Sequence, residues 1–286
     1  MPISRRRAVQ ALAAAAALPH GLARPQQQGA IKVLVGFPPA GLPDLVARTL
    51  ADSLGRQLGT PAVVENRPGA NGRLAAQAVK AAAPDGRTLL VVPASGMVHL
   101  PHVFRNLGYD PFTDFTPVAQ LVENDFAFSI SPKLPVKTLA EFAAWCRKNP
   151  DAATYGSPGQ GSAPHLMGAT LAKALDAPMR HVPYKGNAFA INDLSGGHIT
   201  SIFTATTLVG AAHKAGNVRV LATTGRRRNA ALPDVSTFAE AGVPSLSMTE
   251  GIWVFAPART PGALVEKLSI AAALAAHSAE MKAAIQ

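Results

Sequence analysis

IKVLVGFPPAGLPDLVARTLADSLGRQL, residues 31–58, decides the fold. Residues 31–36 form an apolar run broken by one lysine and read as a strand. Phe37, Pro38, Pro39, Ala40 and Gly41 then make a stiff turn. From residue 43 onward Val46, Leu50, Leu54 and Leu58 recur on one helical face. Strand, turn and helix in immediate succession open a βαβ unit. Pro43 suits the first helical position, where its missing N–H costs nothing. Asp44 falls in the first turn, where a carboxylate favours the dipole, caps the helix or accepts from an amine-bearing ligand. The first N–H groups of a helix have no internal partner, so such a turn can cradle an anion without a charged side chain.

The same grammar continues outward. Residues 61–66 and 88–93 read as strands and 72–82 as a helix stopped by Pro84-Asp85-Gly86; 109–117 read as an irregular connection. Strands at 118–121 and 127–131 lead to a second half. It contains helices at 138–148, 164–175 and 188–194, the last ended by Gly196-Gly197, and strands at 154–156, 180–182, 198–203 and 218–223. A loop with a short helix occupies 232–242, a returning strand 249–256 and a helix 261–276. The expectation is an α/β protein with mainly parallel sheets flanked by helices. Its first lobe comprises residues 24–122 plus 250–286, and its second 123–249.

A second glycine-broken turn, YGSPGQGSAPH at 155–165, again sits between strand and helix. Gly159, Gln160 and Gly161 would expose backbone N–H groups, and Ser157 and Ser162 add hydroxyl donors, although Ser162 equally suits an N-cap. Two such cradles more than a hundred residues apart suggest two lobes closing on one small acid.

Residues 1–23 read as an export signal. Arg5, Arg6 and Arg7 precede an apolar run far shorter than the ~20 residues of a spanning helix, and Gly21-Leu22-Ala23 offers a cleavage point. Both the general secretory and the twin-arginine route fit. The remaining chain, at roughly 150 residues per domain, holds two lobes. The formal net charge of +10 lies partly in the signal. The later cluster Arg226-Arg227-Arg228 has no aromatic stacking residues beside it, so nucleic acid is not an expected partner. Cys146, the single cysteine, shares a helical face with Leu139, Phe142 and Ala143 and reads as a core thiol.

Catalysis and metal binding find little support. Ser162 and His165 lack a G-x-S-x-G setting and a neighbouring acid. His99 and His102 have no further ligands near them, and His181 stands alone, so neither metal nor cofactor is expected.

The stretches FPPAGLPDLVAR, VVENRPGANG, APDGRTLL, YDPFTDFTPVA, YGSPGQGSAPHL, HVPYKG, LPDVSTFAEAG and WVFAPARTP, in this order, resemble the TctC/Bug family. These are extracytoplasmic solute receptors of tripartite tricarboxylate transport systems. The resemblance runs from about residue 31 to 268. It implies a two-lobed periplasmic binding protein (type 2) fold, a cleft that shuts on a small carboxylate, a periplasmic location, and membrane permease subunits as partners. A non-enzymatic receptor is the implied function, with a monomer as the default state. A sensor that presents its ligand to a membrane-bound kinase is the alternative.

Carried onto this chain, the ligand contacts are Phe37, Pro38, Pro39, Ala40, Gly41 and Asp44, then Ser157, Gly159, Gln160, Gly161 and Ser162, with Thr204 farther on. Ala40 and Pro43 replace a glycine and a hydroxyl residue of the family pattern, and Thr200 and Thr204 replace aspartates, which removes negative charge from the cleft. Family chains typically continue beyond the helix near Pro261 with a strand and helices, whereas this sequence stops at Gln286. Either the sequence is truncated or the first lobe lacks its usual cover.

Overall fold

The computed structural model describes residues 29–285, so the export signal expected over residues 1–23 lies outside the described residues. β1 (Ile31–Val35) leads into α1 (Leu42–Leu58), followed by β2 (Ala62–Asn66), α2 (Arg73–Lys80) and β3 (Thr88–Pro93). Two one-turn helices, α3 (Ser95–Val98) and α4 (Leu100–Val103), precede β4 (Phe115–Asn124). The second half runs through β5 (Phe126–Ile130), α5 (Leu139–Lys148), β6 (Thr154–Ser157), α6 (Ala163–Ala174) and β7 (Arg180–Pro183). It continues with α7 (Asn187–Gly196), β8 (Ser201–Ala205), α8 (Thr206–Lys214) and β9 (Arg219–Thr223). β10 (Glu250–Pro257), α9 (Gly262–Ala276) and α10 (Ala279–Ala284) complete the described chain. Helices α3, α4, α8 and α10 were not anticipated from the sequence, and the short helix expected within 232–242 does not form.

The strands form two five-stranded sheets, ordered β2-β1-β3-β10-β4 and β7-β6-β8-β5-β9. Only Asp125 separates β4 of the first from β5 of the second. Strand sense departs from the mainly parallel expectation: β10 runs antiparallel to β3 and β4, and β5 antiparallel to β8 and β9. The reason is the direction of approach. β1, β3, β6 and β8 end at the gap between the sheets, whereas β5 and β10 start there, so their hydrogen-bond ladders oppose their neighbours.

Side-chain alternation builds a core on each face of each sheet. On β1, Ile31, Val33 and Val35 join Val46, Leu50 and Leu54 of α1 and Leu268, Ala271 and Ala275 of α9. Leu34 points the other way, to Ala75, Ala76 and Val79 of α2 and to Leu90 and Val92. In the second lobe Phe128 and Ile130 meet Phe142, Cys146 and Leu171, while Ala127 joins Leu194, Ile202 and Val209 behind the sheet. Cys146 is fully buried, as its helical face implies, and burial pushes its thiol pKa up to about 11. On α10, Met281 is buried against the first core, whereas Ile270 and Leu274 of α9 remain more than half exposed.

Candidate functional site

A cavity of about 290 Å³ lies between the two sheets. It is at the small end of the range for small-molecule sites. The first turn supplies Phe37, Pro38, Pro39 and Gly41 to its wall, with Leu42 and Pro43 of α1; the second supplies Pro158 and Ser162. The sequence reading brought these two turns to one place, and the structure does so too.

Each N-terminus is built by its local sequence. Gly41 is the N-cap of α1 and offers no side-chain cap, and Pro43 occupies the first turn. Asp44 does not face the cavity. Its carboxylate accepts from the Ala40 N–H at 3.0 Å, from Arg48 at 2.9 and 3.0 Å and from Asn66 Nδ2 at 2.8 Å, which ties the turn to α1 and β2. Burial alone would raise its pKa, but these hydrogen bonds outweigh burial and hold it below the ordinary value. Asp44 is thus a turn-fixing residue.

Ala40 is exposed and adopts φ 65, the left-handed conformation that favours glycine. Ala40→Gly is expected to raise stability by about 1 kcal/mol by removing that steric cost. Urea unfolding with an unchanged m-value would check it.

The second turn uses its hydroxyls internally. Ser162 Oγ donates to the Gly159 carbonyl at 2.7 Å and accepts from the His165 N–H at 3.3 Å, capping α6. Ser157 is fully buried; its Oγ donates to the Gly159 carbonyl at 3.1 Å and lies 2.8 Å from His181 Nε2. Gly159 and Gly161 are buried behind the wall and Gln160 is exposed, so none of the three lines the cavity. Thr204 is also displaced from its expected role. Its Oγ1 donates to Asn187 Oδ1 at 2.9 Å, and Thr200 bonds to Thr154, away from the cavity lining.

His181 and His165 pack with centroids 4.0 Å apart and planes tilted by 34°, beside Tyr155. Burial, then the like charge of His165, lowers the His181 pKa to about 4, and burial lowers that of His165. The pair and its Ser157 bond are therefore built for neutral imidazoles. Because the folded pKa of His181 lies below the ordinary value of about 6.5, this stabilisation is complete above pH ~6.5 and is lost as pH falls towards 4. The urea midpoint is expected to drop across that window, and His181→Gln, which cannot take up a proton, should flatten the drop.

A third helix start, missed in the sequence, completes the site. Lys185, Gly186, Asn187, Ala188 and Phe189 line the cavity, and Gly186 is the N-cap of α7, again without a side-chain cap. Its φ of 124 is open to glycine alone. The sequence signal was present: YKG follows strand β7 and precedes a helix, as the other two turns do. The three helices, α1, α6 and α7, direct N-terminal ends at one space, where unpaired N–H groups and dipoles favour an anion. Pro93, Ser95, Asn124, Phe126, Ala205, Glu250 and Ile252, from the strand ends, form the remainder.

The sequence profile of the TctC family, described as the tripartite tricarboxylate transporter family receptor, matches residues 46–285. The chain belongs to this family. This TctC receptor is 36% identical over 242 residues to the UPF0065 protein in the gbd 5′ region of Cupriavidus necator, a match covering 84% of this chain and 72% of the relative. Among solved structures it resembles the periplasmic binding protein BugD, with 31% identity, a TM-score of 0.85 and coverage of 90% of this chain and 86% of BugD. MatC from Rhodopseudomonas palustris with bound malate is equally similar: 31% identity, a TM-score of 0.85, and coverage of 90% and 87%. Among the described residues no helix is long and apolar enough to cross a membrane, and no group of histidine, cysteine, aspartate or glutamate side chains could hold a metal ion.

Proposed function

We propose that this TctC-family receptor captures a small carboxylate in the periplasm by closing its two lobes and delivers it to the permease subunits of a tripartite transporter. The observation that carries the reading is the convergence of three helix N-termini, two of them with bare glycine caps, on one cavity between the sheets. Preorganised N–H groups can hold a carboxylate without a buried arginine, with ordered water completing the shell. Lys185 adds a positive charge to the same wall. The malate held by MatC is an acid of this class.

The fold supports binding over catalysis. Ser157 has a histidine partner but is fully buried and outside the cavity lining, while Ser162 lines the cavity but is engaged in capping α6. Calorimetric titration with di- and tricarboxylates, amino acids and aromatic acids tests the receptor reading. A bound acid at a hundred times its Kd should stabilise the fold by about 2.7 kcal/mol. Thermal melts should rise by several degrees. Absence of both heat and thermal shift across the panel would overturn the proposal.

A further inference from the structure

The donor-rich helix starts share the cavity with two buried side chains of different chemistry. Asn124 and Glu250 are register partners on the antiparallel pair β4 and β10, beside the passage from one sheet to the other, and both line the cavity. Both are more than nine-tenths buried. Asn124 Nδ2 donates to the Asp125 carbonyl at 3.4 Å, while its buried Oδ1 has no hydrogen-bond partner. Glu250 Oε1 accepts from the Ser95 N–H at 2.8 Å. Among the described residues it takes part in none of the salt bridges, which join Arg48 to Asp44, Arg67 to Glu65, Lys80 to Asp114 and Arg228 to Glu240. Burial raises the Glu250 pKa, and its hydrogen bonds with Ser95 offset only part of that.

An orphaned buried acceptor beside a desolvated carboxylate is unfavourable in an empty cavity and is relieved by a ligand that donates hydrogen bonds or carries positive charge. Phe37, Phe126 and Ile252 add apolar side chains to the same lining. The lining therefore combines donor-rich helix starts, a buried acceptor pair and apolar side chains.

We propose that the ligand is a small amino carboxylate, its carboxylate held by the helix starts and Lys185, and its ammonium held by Glu250 and Asn124. This rests on the carboxylate-receptor reading and narrows it. Glu250 selects against plain dicarboxylates, because a second anionic end would meet a buried carboxylate of like charge.

The test titrates the full receptor with α- and ω-amino acids of three to six carbons, each matched with the dicarboxylate of equal length. Wild-type protein should prefer an amino acid over its matched diacid by at least tenfold. Glu250→Gln, which keeps an acceptor for the Ser95 N–H, should weaken amino acid binding by at least tenfold and leave diacid binding equal or tighter. Asn124→Leu should weaken the amino acid about fivefold and spare the diacid. If Glu250→Gln weakens both ligands equally, or if wild type prefers the diacids, Glu250 serves only to hold the start of α3 and the proposal falls while the carboxylate receptor stands. If nothing on this panel binds but a tricarboxylate or aromatic acid does, the amino carboxylate falls and the receptor stands; if none of these acids binds, both fall.

Discussion

Gly36→Ala is expected to lower the unfolding free energy by about 3 kcal/mol. A Cβ at Gly36 would lie 2.3 Å from Gly72 Cα and 2.9 Å from its carbonyl oxygen. Both are backbone atoms, so no rotamer change relieves the overlap. Gly72 is itself held at φ 87 and abuts the ring of Phe37. Accommodating a methyl group therefore displaces either the first turn or the start of α2. A loss of this size should lower Tm by roughly 6–12 °C. Carboxylate affinity should fall as well, because the displaced turn carries Phe37 to Gly41. Gly210→Ala in α8 is the matched control. Nothing lies within 4 Å of a Cβ at Gly210, so alanine there should stabilise the helix by about 1 kcal/mol. Equal responses at the two positions would show that the Gly36–Gly72 crossing is not what fixes the turn.

That crossing also marks the limit of what the sequence disclosed. β1, the first turn and α1 were legible because alternating apolar residues, two prolines and a glycine all specify the same local structure. The partner glycine, thirty-six positions away, is a long-range contact that no local pattern encodes. Strand sense was hidden for a similar reason: an apolar strand reads alike in either direction, and the reversal of β5 and β10 follows from where the chain crosses between lobes. Helix α8 escaped notice because Thr206, Thr207, Val209 and Gly210 are weak helix formers. The burial of Val209 in the core overrides that weakness.

The site was half legible. The turns themselves were found, since glycine and proline mark helix starts wherever they stand. What their hydroxyls do was not, because Ser157 and Ser162 are occupied by His181, Gly159 and the α6 backbone, partners supplied by the fold. Glu250 and Asn124 carried no signal at all. As residues at the ends of strands they resemble many polar residues at strand ends, and only the β4–β10 register puts them together. The ammonium subsite proposed at Glu250 and Asn124 therefore rests on residues that the βαβ grammar does not mark.

The proposed closure should be sensitive to a single added side chain, and Gly159→Val should weaken ligand binding by a hundredfold or more. A Cβ at Gly159, on the second lobe, would lie 2.9 Å from Asn71 Oδ1 on the first. A Cβ at Gly186 would likewise lie 3.2 Å from Pro38 Cγ, so bare backbone meets the opposite lobe at two points beside the cavity. Gly159 is the better probe, because its φ lies outside the left-handed range that would strain any substitution. Valine should therefore be tolerated when the lobes are apart and clash only when they meet. A hundredfold loss corresponds to about 2.7 kcal/mol withdrawn from the closed form alone. The variant should keep its ligand-free melting temperature, and small-angle scattering should no longer show compaction when the best-binding acid of the panel is added. Asn71→Gly in the same chain should restore both affinity and compaction, since it removes the obstructing side chain and suits the positive φ of that position. Wild-type affinity in Gly159→Val would mean that ligand is held without this contact between lobes. Failure of the double variant to recover would place the obstruction somewhere other than Asn71.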